Sequence, residues 1–177
     1  MSRHDTYEGG KLKRSHVRHF LDATFGLTLA DASWFALGKD MDDMSMNLNA
    51  QTTTVKNVLD ETNVIHEGYE PSMEVGTQYA NPEDAIYPKV KDIAFNRLTG
   101  DDCKTLGMVI TIDKANEPYD AWVEECMIVV NSYGGSQSGV NIPYTVVPCG
   151  NRIRGTITLA DGVPSFTEVT PSQQVGG

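Results

Sequence analysis

The sequence predicts a mainly β protein with one α-helix: a β-sandwich or small barrel, the helix packed at its side and a long hairpin loop extending from it. Residues 44–51 alternate strictly, Met44, Met46, Leu48 and Ala50 on one side and Ser45, Asn47, Asn49 and Gln51 on the other, which is the pattern of a half-buried strand. Short runs rich in Val, Ile and Thr recur through the second half of the chain between turn residues. Only one segment, near residues 81–100, carries helical periodicity.

In chain order, residues 1–30 alternate weakly, and Gly26 with scattered polar groups argues against a long helix, so an extended N-terminal arm is expected. A short strand at residues 34–37 and a turn at 38–40 precede the alternating strand. Its return partner is expected at residues 72–79, where Met73, Val75, Thr77 and Tyr79 alternate with Ser72, Glu74, Gly76 and Gln78. Residues 52–70 form a long polar excursion between the two.

The helix has a start signal in Asn81 followed by Pro82, Glu83 and Asp84, an apolar stripe of Ile86, Val90, Ile93, Ala94 and Leu98, and a stop at Gly100. Pro88 has no N–H for a helix interior, which moves the regular part to start at Tyr87. Strands follow at residues 106–112, 121–131, 140–147, 153–159 and 164–169, with Asp161-Gly162 the clearest hairpin turn. Residues 171–177 read as a flexible tail. With 177 residues the chain suits one hydrophobic core, so the organisation expected is an arm (1–30), one β-sandwich domain (31–170) and a tail (171–177).

The net charge is −10 and unevenly placed. Residues 1–20 hold five basic and two acidic groups, leaving nine basic against 22 acidic elsewhere. An acidic body argues against ordinary duplex binding, which depends on Lys and Arg displacing phosphate counterions. Cys103, Cys126 and Cys149 are odd in number and lack any CxxC pairing, so they read as thiols of a reducing compartment. No apolar run reaches the ~18 residues that span a bilayer, and the basic N-terminus has no hydrophobic signal core, so synthesis and folding are expected in cytosol.

A search for chemistry yields no catalytic centre, and no metal or cofactor is expected. His16 and His19, with His4 and His66, fall short of a converging ligand set and read as solvated arm histidines. Asp40, Asp42 and Asp43 lack the DxDxDG pattern and closing glutamate of a calcium loop. Glu124 and Glu125 are strand neighbours that point to opposite faces, so they cannot act as an acid/base pair. The glycine-rich run 134–139 has no helix behind it to hold a phosphate. Trp34 and Trp122 sit in apolar strands and read as core.

What remains is the order of landmarks. Trp34 with Leu37-Gly38-Lys39-Asp40, the strand 44–51, Lys56-Asn57-Val58-Leu59 leading to Gly68-Tyr69-Glu70-Pro71, the acidic helix start at Asp84 with Tyr87 and Ile93, Ser132-Tyr133-Gly134-Gly135, Gly139-Val140-Asn141-Ile142-Pro143-Tyr144, and Gly150-Asn151-Arg152 before Gly155 follow one another along residues 34–159. In that order they resemble the tail tube (major tail) proteins of long-tailed bacteriophages. The same pattern leads one to expect a glycine near Asp60, which this chain lacks.

The resemblance implies a structural virion protein, not an enzyme, assembled in the host cytoplasm into hexameric rings that stack into a hollow tube for DNA ejection. Its partners would be further copies of itself, the tape measure protein, the tail terminator and baseplate or distal tail proteins, with DNA passing through without specific binding. The polar faces of the two paired strands, Ser45, Asn47, Asn49, Gln51, Ser72, Glu74 and Gln78, would then face the lumen as a weakly acidic, lysine-free wall. The excursion would reach the next ring through Val55, Lys56, Asn57, Val58, Leu59, Val64 and Ile65. Two further readings stay open: the inner tube of a contractile tail or phage-derived bacteriocin, with a sheath protein as partner, and a β-sandwich module that binds carbohydrate or protein. A metal-dependent small-barrel enzyme would need the converging histidines that the pattern lacks.

Overall fold

The computed structural model describes residues 6–169. Its centre is an antiparallel pair, β7 (Lys104–Thr111) and β8 (Tyr119–Val130), in register from Lys104 opposite Met127 to Thr111 opposite Asp120. Beyond β7 lie β1 (Val17–Asp22) and then β2 (Trp34–Ala36). The other edge of β8 is divided: residues Tyr119 to Val123 pair with β12 (Ile153–Ala160), and Cys126 to Val130 pair with β11 (Tyr144–Pro148). At the fork, the Glu125 carbonyl accepts the N–H groups of both Cys149 and Gly150, at 2.9 and 3.1 Å.

Outside β11 come β6 (Ser72–Val75) and the edge strand β3 (Met46–Asn47), and β12 is followed by its hairpin partner β13 (Val163–Glu168). These nine strands form one curled antiparallel sheet, a half-barrel. The hairpin turn carries Asp161 and Gly162 at φ 51° and 83°, the two positive angles that a tight two-residue turn requires. Two small hairpins stand apart: β4 (Ala50–Lys56) with β5 (Thr62–Tyr69), and β9 (Gly134–Ser136) with β10 (Gly139–Asn141).

Because successive strand residues face opposite ways, β8 serves two cores on opposite sides of the sheet. Tyr119, Ala121 and Val123 pack with Met108, Ile110 and Ile157 under the β12–β13 hairpin. Cys126 and Ile128 pack on the other side with Tyr144, Val146 and the helix α1 (Tyr87–Asn96). The helix begins as expected at Tyr87 with Pro88 in its first turn, buries Val90, Ile93 and Ala94, and ends at Arg97 in the left-handed conformation, φ 53°. Asn81 caps the turn before it, its side-chain oxygen accepting the Glu83 N–H at 3.1 Å.

Several expectations are corrected. The segment expected as an arm through residue 30 contributes β1, an interior strand with Phe20 in one core and Leu21 in the other. A strand buried on both faces has no polar alternation, which is why it read as irregular. His16 and His19 are accordingly buried, not solvated. Asp22 is also buried and accepts the N–H groups of Thr24 and Ser33, both at 2.9 Å.

The alternating strand 44–51 is broken at Asn49, φ 46°, into β3 and β4, so Leu48 and Ala50 are exposed and only Met44 is buried. Its return strand stops at Val75, four residues before the expected end, and the strand expected at 140–147 is interrupted before Tyr144. Trp34 and Trp122 are half-buried. His4, the first five residues of the arm and the tail 171–177 lie outside the described residues.

Candidate assembly surfaces

Two surfaces bear on the residues named from sequence: one open face of the sheet, and the β4–β5 hairpin. The open face is the reverse of the α1 core. Met73 and Val75 turn inward, which sends Ser72 and Glu74 outward. Ser72 stands across from Asn47, Glu74 across from Thr145, and Thr145 across from Val129. Cross-strand neighbours share a face, so these five residues form one continuous patch. Asn131 joins it by donating its side-chain amide to the Thr145 hydroxyl at 3.1 Å.

The expected lumen set therefore comes together only in part. Asn47, Ser72 and Glu74 share the face, and Asn49 reaches it by donating to the Ser72 hydroxyl at 3.1 Å. Gln51 belongs instead to the hairpin, where it donates to the Glu70 carboxylate at 3.3 Å. Ser45 precedes β3 and bonds Asp43, and Gln78 lies beyond β6, its N–H held by the Asn141 side chain at 2.7 Å. Sequence reasoning missed Thr145, Val129 and Asn131, although the alternation of residues 144–147 carried a signal for the first. The wall is also not free of lysine: Lys104 reaches its margin opposite Met127 and pairs with Asp101 at 2.7 Å.

The excursion expected as a polar loop at residues 52–70 is a paired hairpin, its register shifted once between Gln51 and Thr52, in which every residue of β4 is exposed. Its tip is organised by Asn57, whose side-chain oxygen accepts the N–H groups of Leu59 and Glu61 at 2.9 and 3.0 Å. Asp60 takes φ 61°, the left-handed conformation that a glycine adopts without strain. The turn thus has the geometry for which a glycine was expected, with aspartate supplying it.

All seven hairpin residues named from sequence lie here, but they do not form one surface. In the ladder, Val55 stands across from Asn63 and Ile65 across from Thr53, which puts Val55 and Ile65 on one face and Val64 on the other. Val58 is 101% and Leu59 75% exposed at the tip. Neither packs in either core.

A groove of about 700 Å³ opens where the hairpin leaves the sheet, on the face opposite the polar patch. Val17, Val109, Met44 and Met46 line it, and Arg14 and Arg152 stand among them. The Arg152 guanidinium lies 5.2 Å from the Trp122 ring centroid, with its Nε 3.9 Å from Glu124. Burial pushes the Glu124 carboxyl above its ordinary range, and the Arg152 charge opposes that shift. Arg14 donates to the carbonyls of Val17 and Met44 and has no carboxylate partner among the described residues.

Among the described residues, no group of three or more His, Cys, Asp or Glu side chains is arranged to hold a metal ion. No helix in them is long and apolar enough to cross a membrane. No protein-family model matches the sequence, and no curated protein matches it.

Proposed function

We propose that this chain is a structural subunit that assembles into hexameric rings stacked as the hollow tail tube of a bacteriophage, through which DNA leaves the virion. The observation that carries this reading is the hairpin: a β4–β5 ladder that stands in solvent along almost its whole length and whose tip presents Val58 and Leu59. A two-stranded ribbon is marginal alone in water, and exposed apolar side chains of this kind mark an interface. Covering one such side chain is worth about 1.5 to 3 kcal/mol, and a ring repeats each contact in every subunit.

The open sheet face supports the same reading. Asn47, Ser72, Glu74, Thr145 and Asn131 offer hydrogen-bonding groups without a free cation, so a passing polyanion would be neither gripped nor strongly repelled. The edge of β3 leaves backbone groups that a neighbouring subunit's strand could pair to continue the sheet around a ring. The order of sequence landmarks adds the resemblance to tail tube proteins, and with it the tape measure, terminator and distal tail proteins as partners.

Negative-stain microscopy of concentrated protein tests the proposal. Rings or tubes with a central channel are expected, and a protein that stays monomeric at every concentration overturns it. A second reading, a binding module, draws on the exposed Phe95 and Tyr133 rings, stacked with centroids 4.6 Å apart. A glycan or peptide that quenches the intrinsic fluorescence of a purely monomeric protein would favour it.

A further inference from the structure

The groove between the hairpin base and the sheet is built to take something that the chain itself does not supply. Its lining is apolar at Val17, Met46 and Val109 and basic at Arg14 and Arg152, with Glu124 as its acid. That is a positive site on a protein of net charge −10. Leu48 and Tyr69, at its mouth, are 54% and 57% exposed.

The complementary surface is the hairpin of another copy. Residues 52–70 carry four acids, Asp60, Glu61, Glu67 and Glu70, against Lys56. At the tip, the exposed Val58 and Leu59 sit directly beside Asp60 and Glu61, an apolar pair with an acidic flank. We infer that the tip of one subunit docks in the groove of a subunit in the adjacent ring, Val58 and Leu59 against Val17, Met46 and Val109, and Asp60 and Glu61 toward Arg14 and Arg152.

The hairpin cannot fill its own groove. Leu48, Tyr69 and Pro71 place that groove at the hairpin's base, and β4 has 7 residues, which at about 3.3 Å each put the tip roughly 23 Å away. Tip and groove are different surfaces, so the contact is head-to-tail. Such contacts propagate instead of closing on a pair, and each step displaces the next subunit along the hairpin. The inference rests on the tube reading and specifies how one ring holds the next.

Replacement of Leu59 by the photo-crosslinker p-benzoylphenylalanine, followed by irradiation and peptide mapping, tests it. In assembled protein, intermolecular links to peptides containing Val17, Met46, Val109 or Arg152 are expected, and they should be absent from dilute monomer. Tubes that form with links mapping elsewhere, residues 170–177 included, overturn the groove and leave the tube reading intact. A protein that never assembles overturns both. As a second arm, Arg152→Glu should raise the concentration needed for assembly roughly tenfold, and Asp60→Asn with Glu61→Lys in the same chain should restore it. Tubes unaffected by Arg152→Glu, or not rescued by the hairpin changes while circular dichroism shows an intact fold, also overturn the groove.

Discussion

The Asn49 side-chain amide donates to the Ser72 hydroxyl at 3.1 Å, and also to the Glu70 carbonyl at 2.9 Å. These two bonds fasten the kink from which the hairpin springs to the strand that carries the polar face. Asn49 occupies φ 46°, where asparagine and glycine are tolerated and a β-branched residue is strained. Asn49→Gly should therefore keep the hairpin direction and, on the proposed reading, tube assembly. Asn49→Val should cost about 1 to 3 kcal/mol in local strain and lost bonds. Hydrogen exchange of β4 and β5 amides beside microscopy distinguishes the two, and equal behaviour of both variants counts against the kink as an aiming device.

Lysines placed on the open face should leave packing alone, since Asn47 and Glu74 are both exposed. On the proposed tube reading, the double variant Asn47→Lys with Glu74→Lys is expected to form normal tubes and to slow DNA ejection, because each ring would then add phosphate attraction along the channel. Failure to form tubes would show that this face is a subunit contact.

The hairpin tip makes the opposite prediction. Val58→Asp with Leu59→Asp should change monomer stability by no more than about 0.5 kcal/mol, as expected for exposed positions, yet abolish tubes because the new charges would have to be desolvated on docking. Circular dichroism melting and microscopy of the same sample check both halves. A large drop in melting temperature would return these residues to the subunit's own core.

Acid should weaken the fold through His19. Burial, and then the nearby Arg14 charge, lower its pKa from 6.5 to about 4. In the unfolded chain His19 takes up its proton near pH 6.5 while the folded protein resists until about pH 4. The stability is therefore whole above pH 6.5 and is lost progressively down to about pH 4. At 1.36 kcal/mol per pH unit the loss amounts to about 3 kcal/mol. Urea unfolding at pH 7.5, 5.5 and 4.5 should show the decline, and His19→Asn should flatten it. An unchanged slope in that variant would assign the acid sensitivity to other groups.

Asp22 tests the correction to the N-terminal segment. Its carboxylate is buried and gathers Thr24 and Ser33 onto the end of β1. Asp22→Ala leaves those donors unpaired and should cost about 2 to 4 kcal/mol, measurable as a shift in the urea midpoint. A change under about 0.5 kcal/mol, the size usual for surface sites, would mean that this stretch is the peripheral arm it resembled in sequence.

The mainly β class, the helix starting at Tyr87 and the Asp161-Gly162 turn were legible in the sequence, because each is written in local rules. Proline removes a helix donor, a two-residue turn needs positive φ, and a half-buried strand alternates. The polar partners Asn47 and Ser72 could be named for the same reason. Tertiary structure alone decided the rest. It placed β1 inside the sheet, where burial on both faces erases the alternation that would have revealed it. At Asn49 it broke a strand whose apolar pattern ran on, since a kink tied to Glu70 and Ser72 depends on residues more than twenty positions away. It also split Val55 and Ile65 from Val64, because the facing of a ribbon follows its pairing register. The groove brings Arg14, Met46, Val109 and Arg152 together from four distant parts of the chain. No local window contains them, because only the curl of the sheet makes them neighbours.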